Sequence, residues 1–154
     1  MYFEEFVVEA EFATGLRQIT EADVKTFTDL SLLQNPIFLD DRAAQAMGHP
    51  RRILTSPLLI SMAMGLCQQR GLFDHMVAVL EFDYVKFQKP SYLGDSVRVN
   101  SRVSLARPTR NPQRGLVRLS FELHNQRHES VLEMQAVYLM LRRELGKLLT
   151  LIGP

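Results

Sequence analysis

The most hydrophobic segment of the chain is residues 56–71, which read SPLLISMAMGLCQQRG. Its apolar residues leave almost no polar face before Gln68. A helix that is apolar on all sides must be buried on all sides, since a surface helix shows a polar stripe. Ser56 is a suitable N-cap with Pro57 at the first helical position, and Gly71 is a suitable C-terminal stop. The pattern predicts a buried helix around which the rest of the chain folds.

After Gly71 the hydrophobic period changes from helical to two, which is typical of half-buried strands. The pattern predicts four strands, at residues 77–87, 96–105, 117–124 and 130–141. The first changes its apolar phase, which indicates a β-bulge near Tyr84. Residues 106–115, ARPTRNPQRG, contain two prolines and a glycine and are predicted as an exposed loop. The last strand is apolar on both faces towards its end, which favours a sheet that a second subunit continues or covers.

The region before the central helix has weaker patterns. Thr20 and Asp23 form a capping box that begins an amphipathic helix over Glu21–Ser31. Pro36 disfavours helix at Asn35 and so separates this helix from the next. The remaining predictions are short strands over Tyr2–Val8 and Glu11–Ile19, and a short helix over Arg42–Met47 that Asp40 or Asp41 caps and Gly48 ends.

The order of these elements predicts an α+β fold of one domain. A curved antiparallel sheet wrapped around one long helix, the hot-dog architecture, accounts for both the apolar helix and the alternating strands. A sandwich with the helix on one face of the sheet is the weaker alternative, because it leaves part of the helix exposed to water. We expect this domain to span residues 1–143, followed by an apolar C-terminal extension over residues 144–154.

Composition narrows the function. The chain has 154 residues with a formal net charge of +1, so nothing in the overall charge suggests a nucleic acid or an anionic membrane as partner. The apolar helix is too short to cross a bilayer. The single cysteine, Cys67, excludes an intrachain disulfide, and the acidic N-terminal segment differs from a signal peptide, so we expect a cytoplasmic protein. No residues have metal-ligand spacing, and no glycine-rich loop suggests a nucleotide phosphate.

Several segments resemble the MaoC-like hydratases and dehydratases, which are hot-dog proteins. They are TEADVKTFTDLS, QNPIFLDDRAAQAMG, SPLLISMAMGL, VKFQKPSYLGDSV and a last strand that ends in LRR. The resemblance spans about residues 3–143. It implies a ligand that is an acyl thioester of coenzyme A or of an acyl carrier protein, in fatty acid or polyketide metabolism, and no separate cofactor. Three segments look most like the branch that hydrates branched or dicarboxylic enoyl thioesters, such as mesaconyl-CoA.

The hydratase motif of that family, Gly-Asp-x-Asn-Pro-x-His, is altered in this chain. The resemblance places Leu33 at the aspartate and Phe38 at the histidine, while Asn35 and the following proline remain. Those two family residues hold and activate a water, which a hydrocarbon side chain cannot do. The His-Gly pair that precedes the long helix is replaced by Thr55 and Ser56, although the helix N-terminus still offers backbone donors. Hydration by the family mechanism is therefore not expected.

Other acids and bases have structural explanations beside catalytic ones. Asp29 is either a solvated acid at a helix end or a base, and Asp40 is a helix cap or an acid. His49 precedes the central helix, near the family's substrate entrance, and is a surface histidine or a base. Arg107, Arg110 and Arg114 suit the phosphates of coenzyme A or phosphopantetheine, since the guanidinium fork matches phosphate. A solvated strand face and loop explains the same arginines equally well.

Three hypotheses follow. The first is an acyl-thioester binder that is non-catalytic or repurposed, either a homodimer or the partner of a related hot-dog subunit that carries the Asp/His pair. The second is an active dehydratase, hydratase, isomerase or thioesterase that uses other residues, so whether the chain is an enzyme stays open. The third is a structural protein whose C-terminal segment lies on a partner subunit. The first ranks slightly ahead of the second and both rank well ahead of the third.

Overall fold

A computed structural model describes residues 1–143 of the chain. Its helices are α1 (Glu21–Ser31), α2 (Pro36–Leu39), α3 (Asp41–Ala46) and α4 (Ser56–Gln69), with a 3₁₀ helix at Phe3–Glu5. Its strands are β1 (Glu11–Ala13), β2 (Arg17–Gln18), β3 (Met76–Phe87), β4 (Ser96–Pro108), β5 (Arg114–Asn125) and β6 (Ser130–Leu141). The predicted extension at residues 144–154 lies outside the described residues.

The strands form one antiparallel sheet in the order β1-β4-β5-β6-β3, with β2 paired to β4. Alternate residues of β4, β5 and β6 are buried against α4, as in Val99, Leu119 and Tyr138. Sheet and helix therefore share one apolar core, which is the predicted α+β hot-dog arrangement. No helix in the described part of the chain is long and apolar enough to cross a membrane.

Helix α4 departs from the prediction of burial on every side. Leu58, Leu59 and Cys67 are buried against the sheet, whereas Ser61 and Gly65 lie on an exposed face. The sheet covers one side of the helix, and the small or polar residues occupy the other. Burial raises the pKa of the Cys67 thiol to about 12, so this side chain behaves as a small hydrophobe and not as a nucleophile.

The elements before α4 agree with the predictions to different degrees. Helix α1 and its capping box occur as predicted: Thr20 Oγ1 accepts a hydrogen bond from the Asp23 amide, and the Asp23 carboxylate accepts one from the Thr20 amide. The strand predicted over Tyr2–Val8 was wrong, since this segment contains a 3₁₀ turn. The short helix predicted over Arg42–Met47 is α3, shifted by one residue and capped by Asp40.

The loop predicted over residues 106–115 was also wrong in its extent. Strand β4 continues to Pro108 and β5 begins at Arg114, so the turn between them is short. Pro108 is the last paired residue of β4 and Pro112 lies in the turn, and at both places a missing amide donor costs little. Arg107 and Arg114 consequently lie on strands, and Arg110 lies in the turn.

Strand β3 forms one edge of the sheet and has an apolar surface. Its register against β6 shifts at three places, one of them between Phe82 and Tyr84, where the bulge was predicted. Seven large apolar side chains along it are between 36% and 53% exposed: Val77, Val79, Leu80, Phe82, Tyr84, Val85 and Phe87. An exposed, unpaired apolar edge of this length is a typical site for pairing with another chain.

Candidate ligand-binding cleft at the start of helix α4

The first turn of α4 is held by a cap and by the neighbouring connection between β3 and β4. Thr55, not Ser56 as predicted, is the N-cap, and its hydroxyl oxygen accepts a hydrogen bond from the Leu58 amide at 3.4 Å. The Leu54 amide donates to the Ser91 carbonyl at 2.8 Å, and Ile53 bridges to Tyr92. These bonds fix the helix N-terminus beside the end of β3.

An open cleft of about 190 Å³ lies at this junction. Its walls are the segment that enters α4, the first turns of that helix, and the loop that leaves β3. The lining residues are Ile53, Leu54, Ser56, Leu59, Phe87, Gln88, Lys89, Pro90 and Ser91. The mostly apolar wall suits an acyl chain. The Ser56 amide is the donor that the helix start offers to a carbonyl oxygen, because Pro57 has no amide hydrogen and the Leu58 amide is bonded to Thr55. The chemistry available here is binding and polarisation of a thioester.

The segment over residues 33–38, where the resemblance places the family motif, lies beside this cleft. The Asn35 side chain accepts a hydrogen bond from the Ile37 amide at 3.1 Å and so caps α2. The Ile37 carbonyl in turn accepts one from the amide of Ile53, which lines the cleft, at 3.3 Å. Leu33 is 37% exposed and Phe38 is half-buried, and neither lines the cleft in this chain alone.

The three candidate acids and bases have other contacts. Asp29 pairs with Lys25 one turn earlier on α1. Asp40 accepts hydrogen bonds from the Arg42 and Ala43 amides and so caps α3. The His49 ring lies against Tyr92 in an edge-to-face contact, with centroids 6.3 Å apart. The described residues contain no cluster of three potential metal-ligating side chains.

The predicted phosphate-binding arginines lie at the opposite end of the sheet. Arg114 is paired with Leu141 at the end of β6, whereas the cleft residue Phe87 is paired with Leu132 near its start. In a single chain the structure therefore does not bring Arg107, Arg110 and Arg114 to the cleft. The sequence indicated that these arginines suit a phosphate, but their distance from the cleft depends on the register of the strands.

A buried aspartate that no sequence pattern singled out organises this end of the molecule. Asp95 is 1% exposed. Its carboxylate accepts hydrogen bonds from the Tyr92 amide at 2.8 Å and from the Gln126 side chain at 2.9 Å. Arg51 lies 3.5 Å from the same group. This carboxylate connects the entry to α4, the loop before β4 and the turn between β5 and β6.

Comparison with known families matches residues 6–122 to the model of the MaoC like domain. The chain belongs to the MaoC-like family. Comparison with curated proteins found no match. Solved MaoC-like and related structures share the fold over almost the whole described chain, as the following examples indicate.

The monoamine oxidase regulatory protein of Archaeoglobus fulgius is 25% identical, with a TM-score of 0.84 over 92% of this chain and 95% of that one. The (R)-hydratase of A. caviae involved in PHA biosynthesis is 24% identical, with a TM-score of 0.74 over 90% and 98%. The ChsH1-ChsH2 complex of Mycobacterium tuberculosis contains a chain that is 18% identical, with a TM-score of 0.63 over 84% of each. The two likenesses below 25% identity establish the hot-dog fold of this MaoC-like chain and nothing about its ligand.

Proposed function

We propose that this MaoC-like protein binds an acyl thioester of coenzyme A or of an acyl carrier protein in the cleft at the start of α4. The observation that carries the proposal is the cleft itself, where apolar side chains such as Leu59 and Phe87 surround a helix N-terminus. An acyl chain needs the apolar wall, and a thioester carbonyl needs a backbone donor such as the Ser56 amide. The cleft lining contains no Asp, Glu, His or Cys side chain that could ligate a metal ion.

We further propose that binding takes place without family-type hydration. Leu33 and Phe38 stand at the positions of the family's aspartate and histidine, on a segment bonded to the cleft through Ile37 and Ile53. Neither side chain can take up a proton or hold a water. The protein is then non-catalytic or repurposed, and a heterodimer with a catalytic MaoC-like subunit would supply the Asp/His pair that this chain lacks.

An enzyme that uses other residues has weaker support. Asp29 is in an exposed pair with Lys25, and Asp40 is occupied as a helix cap. His49 retains access to solvent but does not line the cleft. If the protein nevertheless turns over a thioester, His49→Ala is the first variant to test.

The exposed apolar edge of β3 supports assembly with a second hot-dog subunit. The charge pattern of this strand favours a second copy of this chain as that subunit. Antiparallel self-pairing centred between Asp83 and Tyr84 places Glu81 opposite Lys86 of the second copy. Both residues pair with β6 at outward positions, Glu81 with Val137 and Lys86 with Glu133. The opposite charges meet on one face of a continued sheet, which stabilises this register.

In the same register, Phe82 lies opposite Val85 of the second copy. Both side chains point towards the core, because they pair with the buried Ala136 and Met134 of β6. The dimer therefore buries apolar side chains on one face of the sheet and pairs opposite charges on the other. Because the same register is favourable on both faces of the sheet, we expect β3 to form a symmetric dimer.

The proposal is tested by titrating the protein with butyryl-CoA and by incubating it with enoyl-CoA thioesters. We expect binding without hydration. Ser56→Trp, in the cleft, should abolish binding, whereas Ser61→Trp, on the exposed face of the same helix, should leave it unchanged. Absence of binding by the folded protein contradicts the proposed ligand, and hydration by the unaltered protein contradicts the loss of family chemistry.

A further inference from the structure

We infer that Arg98, His124 and Ser130 form a binding site for a phosphate group on the face of the sheet that points away from α4. The ligand is inorganic phosphate or a small phosphate monoester, and the site is separate from the cleft at the start of α4. The inference depends neither on the proposed function nor on the dimer. Four observations carry it.

The first observation is that the register of the sheet places these three side chains in one row. Arg98 of β4 pairs with His124 of β5, and His124 pairs with Ser130 of β6. Directly paired residues on one face of a sheet have Cβ atoms about 4.5–5.5 Å apart. Their neighbours along the strands, such as Val99 and Leu123, are buried in the core, so the row lies on the opposite face. Three different strands therefore bring these side chains side by side.

The second observation is that each of the three side chains has a buried polar atom with no hydrogen-bond partner among residues 1–143. These atoms are Nε of Arg98, Nδ1 of His124 and Oγ of Ser130. A buried polar atom without a hydrogen bond is costly, and folded proteins contain few of them. Three such atoms in one row of adjacent residues indicate a ligand that bonds to all three.

The third observation is the charge of Arg98. Arg102, two residues further along the same face of β4, pairs with the carboxylate of Glu9. Arg98, in contrast, forms no ion pair within the described part of the chain. One of its terminal nitrogens lies 2.6 Å from Nδ1 of His128, in the turn between β5 and β6. This contact orients the guanidinium group but leaves its positive charge to attract an anion.

The fourth observation is the environment of the His124 ring, whose side chain is 16% exposed. Its Nε2 atom lies 3.5 Å from a carboxylate oxygen of Glu122, which suits a proton on that nitrogen. The Nδ1 atom then accepts a hydrogen bond when the ring is neutral and donates one when the ring is charged. A charged ring lies between the Glu122 carboxylate and the bound anion and attracts both.

These donors and acceptors favour a phosphate over a carboxylate. The second pKa of a phosphate monoester is about 6, so near neutral pH the group offers His124 either a P–OH donor or an acceptor oxygen. A phosphate monoester also has three free oxygens, one for each of Arg98, His124 and Ser130, whereas a carboxylate has two. The row therefore suits a phosphate group in its number of bonds, its charge and its protonation.

Titration with inorganic phosphate and with glycerol 3-phosphate tests the site, with sodium chloride at equal ionic strength as the reference. The NMR signals of the histidine ring nitrogens report binding, and we expect a saturable shift of the His124 Nδ1 signal. Binding of either ligand that depends on Arg98 supports the site. The ligand that binds more tightly identifies the source of the phosphate group.

Substitutions in the row and outside it locate the bound group. Arg98→Ala should weaken phosphate binding by about ten-fold or more, because it removes the charge. Ser130→Ala removes one neutral hydrogen bond and should weaken binding by about five-fold. The matched control, Arg102→Ala, removes a positive charge from the same face and should change the affinity by less than about two-fold. Arg98→Gln replaces the alanine variant if the backbone amide spectrum of that variant shows an altered fold.

The inference is wrong if the His124 signal shifts without saturation, or if Arg98→Ala and Arg102→Ala weaken binding equally. Ser56→Trp, in the cleft, should leave phosphate binding unchanged, and a loss of binding in this variant would place the phosphate in the cleft and also overturn the inference. Failure of the protein to bind butyryl-CoA contradicts only the proposed function. The two proposals can therefore fail independently.

Discussion

At the residue scale, Asp95 shows how one buried carboxylate joins three parts of the chain. Its acceptor oxygens satisfy a backbone amide of the loop before β4 and a side chain of the β5–β6 turn, and its charge faces Arg51. A buried carboxylate is tolerated only with such partners, because desolvation of an unpaired charge is costly. The cleft at the start of α4 depends on this connection for its shape.

Replacement of Asp95 by alanine should lower the free energy of unfolding by about 3 kcal/mol, because it leaves buried donors without an acceptor. Urea denaturation measures the change. Asp29→Ala is the control, since it removes an exposed acid paired with Lys25 and should cost less than about 1 kcal/mol. Equal effects of the two substitutions would contradict the structural role assigned to Asp95.

At the element scale, α1 is an example of a helix determined by local interactions. Thr20 and Asp23 satisfy each other's backbone amides, and Arg17 from β2 pairs with Asp23 at 2.8 Å. The hydrogen bond from Arg17, together with those from Thr20, holds the pKa of the Asp23 carboxyl well below its usual range. This carboxylate ties the start of α1 to the sheet.

The depressed pKa of Asp23 predicts a pH-dependent contribution to stability. Above the ordinary aspartate pKa of about 3.9, the charged carboxylate is present in both states and only the folded state has its partners. Asp23→Asn should therefore reduce stability by about 1 kcal/mol at pH 7. As the pH falls below 4 towards the folded pKa, the difference between the two proteins should shrink. Chemical denaturation across this range measures it, and a constant difference would refute the assignment.

At the scale of the whole molecule, β3 leaves the fold incomplete at one edge. Its exposed residues include apolar side chains such as Phe82 and Val85, which belong to the core-facing side of the sheet. Three shifts in register curve the strand and limit indiscriminate pairing, which bulges are known to do. In the proposed dimer, the charges of Glu81 and Lys86 select one partner register.

Charge reversal tests this register. Glu81→Lys and Lys86→Glu should each weaken the dimer, by about ten-fold at low salt, because like charges then meet across the axis. The double variant should restore the original affinity. Sedimentation equilibrium measures the dissociation constant, and Lys25→Glu on α1 is the control. The proposed axis would be excluded if neither single substitution changed the dissociation constant of the dimer. It would also be excluded if the double variant dissociated as readily as the single variants.

Local patterns were sufficient for much of the fold. The bounds of α1 and β6 were predicted without error, because a capping box, a polar turn and a regular hydrophobic period are properties of neighbouring residues. The MaoC-like family was also recognisable from the sequence. The placement of Leu33 and Phe38 at the family's Asp and His positions, and its chemical consequence, stay predictions.

The sequence by itself determined α1, the central helix and most of the long strands, because hydrophobic period and capping act over a few residues. Only the tertiary structure decided that Ser61 and Gly65 face away from the sheet, that Asp95 is buried, and that Arg114 lies far from the cleft of its own chain. These facts depend on strand register and on which element covers which face. Such contacts join residues distant in sequence, so no local pattern specifies them.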